Sequence, residues 1–214
     1  FFGQGTQVET VRRSYSAFLE GQVLSADAQR SHLSAYAEAV AQIDNLLADP
    51  QAGLSPALQS FFDGVQEVAA NPSSVPARQS MISGANSLVS TFQYLDGRLS
   101  DIRDGVEAQI TSTAAEISAY AQEIADINHR IAVTEAAGPS QQANDLRDQR
   151  DTLIRDLNQY TRISTITERD GSISVFMGSG QPLVVGTTAS TLVAQPSKID
   201  PGHLEIALKT PGGG

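Results

Sequence analysis

The side chains best suited to acid–base or metal chemistry in this chain are three histidines and two trios of carboxylates. His32, His129 and His203 lie far apart, and none stands in a ligand spacing such as His-x-x-x-His. His32 and His129 fall in helical sequence, where a solvated imidazole is the ordinary case. Asp101, Asp104 and Glu107 form one trio and Asp145, Asp148 and Asp151 the other. A spacing of three places each trio near one helix face, but a calcium loop alternates its ligands through a glycine turn, which neither has. Arg147, Arg150 and Arg155 interleave the second trio, so surface ion pairs Arg147–Asp151 and Asp151–Arg155 are expected, each contributing a few tenths of a kcal/mol. Gly178-Ser179-Gly180 sits between strand-like runs without the rest of a phosphate cradle, and reads as a tight turn. There is no Gly-x-Ser-x-Gly elbow. The residues nominate no catalytic group, no metal site and no cofactor. The chain does not read as an enzyme.

Composition narrows the classes further. The 214 residues include no Cys, which removes disulfides, thiol nucleophiles and thiolate-ligated metals. A net charge of −10, from 14 Lys plus Arg against 24 Asp plus Glu, argues against a nucleic-acid-binding face. No apolar run approaches the roughly 18 residues that cross a bilayer. The opening Phe1-Phe2-Gly3 and closing Pro211-Gly212-Gly213-Gly214 read as the ends of a piece of a longer chain.

The acidic surplus belongs to one part of the chain. Residues 1–160 hold 10 Lys plus Arg and 20 Asp plus Glu, while residues 161–214 hold 4 of each. The hydrophobic period changes at the same place, from helical to strand-like. The expected fold class is therefore α+β, an elongated bundle of long helices over 1–160 followed by a small antiparallel β domain over 161–214, incomplete at its end.

In the helical region, Val8, Val11, Tyr15 and Phe18, then Leu33, Tyr36, Val40, Ile43 and Leu47, recur at steps of three and four, predicting a helix from about Glu9 to Asp49. Ser55 as N-cap with Pro56 at the first helical position predicts a short helix to about Ala70. A seam running from Leu88 through Leu95, Leu99, Val106, Ile117, Tyr120 and Ile124 to Ile131 predicts one helix over Ala77–Ala132, about 80 Å long. A last helix is expected over Asn144–Asn158. Beyond it the β-branched runs Thr161–Thr167, Ser172–Met177, Gly178–Pro182, Leu183–Val185, Thr187–Ala194 and His203–Leu208 read as strands, with Asp170-Gly171 as a hairpin turn. The narrow apolar stripes mean that the long helices pack on one another or leave a face for a further segment or a neighbouring subunit.

Several strings, in order, resemble the flagellar hook-associated protein 1 family, which forms the first part of the hook–filament junction in bacteria. They are Gly3-x-Gly5 leading to Arg13-Ser14-Tyr15-x-x-Phe18-Leu19, Ile43-Asp44-Asn45-Leu46-Leu47, and Phe61-Phe62 with Asn71-Pro72 and Ala77-Arg78-Gln79. Ile124-Ala125-x-Ile127-Asn128-x-x-Ile131 and Asn144-Asp145-Leu146-Arg147-Asp148-Gln149-Arg150-Asp151 follow. The resemblance marks Phe61, Phe62, Asn71, Pro72, Arg78, Asn128, Asn144, Asp145, Leu146, Asp148, Arg150 and Asp151 as signature positions. It implies a flagellin-like helical domain, here an interior stretch without the family's terminal helices. It implies a structural role outside the cell in the flagellum, reached through the flagellar type III export channel. The implied partners are the hook protein, the second junction protein, copies of itself in a ring, and a secretion chaperone acting on an absent C-terminal region. Neither nucleic acid nor membrane is a partner, and this stretch alone is expected to be monomeric. The family's missing C-terminal helix would pack on Val11, Tyr15, Phe18, Tyr36, Val40 and Ile43; the preferred competing reading packs these residues on Leu99, Val106, Ile117 and Tyr120 of the same chain. Flagellin or the second junction protein is the alternative within the class, and a surface adhesin module the alternative outside it. The adhesin would want an aromatic platform, and residues 161–214 offer only Phe176.

Overall fold

The computed structural model describes residues 17–48, 53–136 and 141–212. Four helices come first: α1 (Ala17–Leu47), α2 (Leu54–Ala70), α3 (Val75–Ala136) and α4 (Gln141–Tyr160). Six strands follow: β1 (Ile163–Thr167), β2 (Ile173–Met177), β3 (Gln181–Val185), β4 (Thr188–Ala189), β5 (Thr191–Pro196) and β6 (Leu204–Lys209). The α+β class and the single long third helix are as expected, and the switch from helix to strand comes at Tyr160.

Two details at the helix starts differ from expectation. The residue capping α2 is Gly53, extended at φ −73° and ψ 174°, rather than Ser55. Pro56 therefore lies inside the first turn instead of at its first position. The first four amides of a helix have no intrahelical acceptor, so a proline there removes nothing. The start of α3 is capped by Ser74, whose hydroxyl accepts from the Ala77 amide at 3.2 Å.

The strands form a four-stranded antiparallel meander in the order β1-β2-β3-β4 and a separate antiparallel pair β5-β6. Asp170-Gly171 does turn β1 into β2, with Gly171 at φ 79°. Gly178-Ser179-Gly180 is the tight turn from β2 to β3, closed by the Gly180 amide donating to the Met177 carbonyl at 3.1 Å. The run expected over Thr187–Ala194 is split. The Ser190 amide donates to the Leu183 carbonyl at 2.8 Å and its hydroxyl to the Pro182 carbonyl at 3.0 Å, holding this residue against β3. The chain then leaves for the second sheet, where Thr191 pairs with Lys209.

Packing groups the residues differently from secondary structure. Among the described residues, one compact unit falls within 1–32 and 109–214, and the other within 33–108. In the first, a single core joins Leu24 of α1, Ile117, Ala121 and Ile124 of α3, Ile154 and Leu157 of α4, and strand residues including Val175, Leu183 and Leu192. The division expected at 160/161 is therefore a change of period, whereas the strands share their core with helices. A two-stranded sheet and a short meander cannot bury their own apolar faces, and the helices supply the second layer.

In the second unit α2 lies close against α3. A Cβ placed on Gly64 would stand 2.9 Å from the Met81 Cα, and one on Gly84 would stand 3.3 Å from the Phe61 Cα. Glycine at these two positions is what allows the backbones to approach. Among the described residues no helix is long and apolar enough to cross a membrane.

Candidate functional site: a buried polar joint and an open apolar stripe

Within the first unit, polar side chains tie the helices to the strands from the inside. Asn128 of α3 is at the centre. Its Oδ1 accepts from the Arg150 Nη1 of α4 at 2.9 Å and from the Ile173 amide of β2 at 3.2 Å. Its Nδ2 donates to the Ile173 carbonyl at 2.9 Å and the Gly186 carbonyl at 2.6 Å. Both lone-pair directions and both hydrogens of the amide are thereby used. Arg150 reaches on to the Gly171 carbonyl at 3.0 Å. One buried amide and one buried guanidinium thus hold two helices, the β1–β2 turn and the β3–β4 turn together.

Two further ties, one buried and one part-buried, repeat the device. Asn158 donates through Nδ2 to the Leu24 carbonyl of α1 at 2.7 Å and accepts the Ile163 amide of β1 at 3.4 Å. Ser118 accepts the Leu192 amide of β5 at 2.8 Å while its hydroxyl donates to the Ala114 carbonyl at 2.7 Å. Along the α3–α4 contact, Leu146 packs with Ile127 and Ile131. Arg147 is ion-paired with Glu135 of α3 and donates to Asn144 Oδ1 at 2.9 Å. The pairing expected for Arg147 along its own helix is therefore replaced by one across the two helices. Arg155 donates to Thr152 Oγ1 at 3.1 Å.

The turn beneath Arg150 has its own charge. Asp170 Oδ1 accepts from the Ser172 hydroxyl at 2.6 Å and the Ser172 amide at 3.0 Å. The hydroxyl chiefly, and the amide with it, hold the Asp170 carboxyl below its ordinary range. A carboxyl depressed in the folded state stabilises it above the unfolded pKa, and the benefit is lost as pH falls through the depressed value. Ser172→Ala is expected to raise the Asp170 pKa toward the ordinary carboxylate value in a carbon-13 NMR titration; an unchanged titration would assign the depression to the amide alone.

The signature positions divide by burial. Asn128, Leu146, Arg150 and Asp151 are buried, and Phe61 is half-buried, its ring edge-on to Phe62 at 5.4 Å between centroids. Asn71 is the C-cap of α2, its amide donating to the Glu67 carbonyl at 3.0 Å. Phe62, Pro72, Arg78, Asp145 and Asp148 are exposed. Sequence reasoning missed Ser118, Glu135 and Asn158. For Asn158 a signal existed, because an Asn next to Leu157 and four residues beyond Ile154 lies on the apolar stripe of α4.

The proposed helix-packing residues belong to the other unit where they are described. Tyr36, Val40 and Ile43 of α1 keep 65%, 44% and 39% of their surface exposed, and Leu33 and Leu47 continue the same stripe in the open. Val11, Tyr15 and the side chain of Phe18 lie outside the described residues. Of the residues on which the reading preferred from sequence would pack this stripe, Leu99 and Val106 are exposed, and Ile117 and Tyr120 lie in or against the core of the first unit. The carboxylate trio Asp101, Asp104 and Glu107 gathers no ligand set; Asp101 faces Arg98 at 3.1 Å and Asp104 faces Arg103 at 3.5 Å. Among the described residues no three His, Asp or Glu side chains are grouped to hold a metal. His32 and His129 are exposed, and His203 lies 3.3 Å from Asp200 in the β5–β6 turn.

The comparisons with known proteins agree with this arrangement. Residues 40–214 match the family described as the flagellar hook-associated protein FlgK helical domain. The flagellar hook-associated protein 1 of Salmonella typhimurium is 38% identical over 207 residues, covering 97% of this chain and 37% of that protein. Its counterpart in Escherichia coli K12 is 34% identical over 205 residues, covering 96% of this chain and 38% of that protein. The solved flagellar hook junction protein FlgK from Burkholderia pseudomallei superposes with a TM-score of 0.80 at 35% identity, over 91% of this chain and 34% of that one. The chain thus spans little more than a third of its curated relatives. A helix pair bolted to a four-stranded meander through Asn128, Arg150 and Asn158, matched over most of its length in sequence and in fold, belongs to the flagellar hook-associated protein FlgK family, in its helical domain.

Proposed function

We propose that the longer protein containing this chain is a structural part of the bacterial flagellum that joins hook to filament, and that it works by packing alone. What carries this reading is the match to hook-associated proteins along nearly the whole chain. In this reading the protein forms a ring between the hook protein and the second junction protein. It reaches that place by flagellar export, with a chaperone engaging a region outside these residues. The exposed stripe Tyr36, Val40 and Ile43 is one helix-packing face of that assembly, taken by a further helix of the longer protein or by a neighbouring subunit. The open apolar side chains support it, since a stripe at steps of three and four is the half of a helix–helix seam that awaits its partner.

The test is an in-frame deletion of the parent gene in its own bacterium. Electron microscopy should show hooks without filaments, and flagellin should be lost to the medium. Intact filaments on the deletion strain would overturn the junction role.

A further inference from the structure

α3 keeps two kinds of glycine. Gly84 is required for packing, because a Cβ there would press on the α2 backbone. Gly97 and Gly105 are not, since a Cβ on either would meet nothing within 4 Å. Each therefore weakens the helix without any packing gain, because glycine is the poorest helix former after proline. They fall in one place. The buried residues of α3 include Leu95 and resume at Ala114, with none between them. That interval is about five turns of helix.

The sequence of the interval adds to the weakness. Ser100, Asp101, Asp104, Val106, Thr111, Ser112 and Thr113 all form helix less readily than the Ala-rich run that follows. The Ser112 hydroxyl donates to the Gln109 carbonyl at 3.0 Å, the local bond by which serine competes with the helix backbone. The ion pairs Arg98–Asp101 and Arg103–Asp104 are both exposed and hold little. From Ala114 to Ile131, by contrast, Ile117, Ala121, Ile124 and Asn128 anchor the helix to the core and the strands.

We infer that residues 96–113 are a local-opening segment of α3, a stretch that unwinds and re-forms on its own while 114–131 stay closed, and that Gly97 and Gly105 set how readily it does so. The device gives a single helix a compliant interval without a proline or a break in its hydrogen-bonding. Local opening of this kind is read by amide exchange, where the exchange rate of a segment reports its own opening free energy. The inference stands apart from the junction role and is tested on this chain alone.

Hydrogen–deuterium exchange should be followed by mass spectrometry on the chain and on its Gly97→Ala/Gly105→Ala variant. In the unaltered chain, 96–113 should exchange at least about tenfold faster than 114–131. In the variant, exchange across 96–113 should slow by roughly tenfold or more while 114–131 is unchanged. Equal protection of the two segments in the unaltered chain overturns the inference. So does a variant whose 96–113 rates are unmoved, or one in which both segments slow together.

Discussion

Asn128→Leu is expected to destabilise the unit that carries the strands by about 3–5 kcal/mol, the range for removing one partner of a buried charged hydrogen bond. Leucine shares asparagine's branching and heavy-atom count, so the substitution opens no cavity, and its larger methyl groups add some crowding to the loss. It takes an acceptor from the buried Arg150, and it strips the Ile173 amide, the Ile173 carbonyl and the Gly186 carbonyl of a partner each. Asn128→Asp keeps the oxygen facing Arg150 but turns a second oxygen toward two carbonyls, and it is expected to be destabilising too. Asp145→Asn, at an exposed signature position on the neighbouring helix, is the control and should stay within about 0.5 kcal/mol. Urea unfolding monitored by exchange at 114–131 and across β2 measures all three. A loss below about 1 kcal/mol for Asn128→Leu would mean that water takes over the amide's bonds and that the joint is not a joint.

Tyr36→Gln/Val40→Gln/Ile43→Gln should separate assembly from folding. Glutamine is a good helix former, and the three side chains it replaces are substantially exposed, so the melting of the isolated chain should change by no more than about 1 kcal/mol. Placed in the parent gene, the same substitutions should reproduce the deletion: bare hooks, and flagellin in the medium. A seam of three large apolar residues contributes several kcal/mol to a helix–helix contact at about 25 cal/mol per Å² buried. Normal filaments would show that this face is not used. A chain that no longer folds would show instead that the residues serve their own unit.

Much of this fold could be read from period alone, and the unread parts have identifiable physical causes. The third helix and the two glycine turns followed from local pattern, because helix repeats and positive-φ glycines are properties of short windows. The α2 start was misplaced because Ser55-Pro56 is a strong local cap signal, whereas Gly53 caps through backbone geometry that no side chain announces. The β5 boundary was missed because Ser190 breaks a strand-like run only through bonds to β3, a non-local event. Most of all, the roles of Asn128 and Arg150 were invisible. The resemblance marked both as signature positions, but their partners lie 45 and 21 residues away, at Ile173 and Gly171. Spacing reports which residues share a helix face and says nothing about which strand backbone that face will meet.

The tie between Asn158 and Leu24 spans 134 positions of sequence. The unit it closes is built from two separate stretches, while the unit over 33–108 is continuous. A chain emerging N-terminus first can therefore complete its middle early, but Leu24 must wait until α4 and β1 have appeared before its carbonyl finds a donor. Closing so long a loop is slow and is expected to be among the last events of folding. Until then the strands' half of the core, Val175, Leu183 and Leu192, has no settled helical layer to meet. Such a chain closes its core later than one built from local hairpins, and it is sealed by a few internal amides at the end.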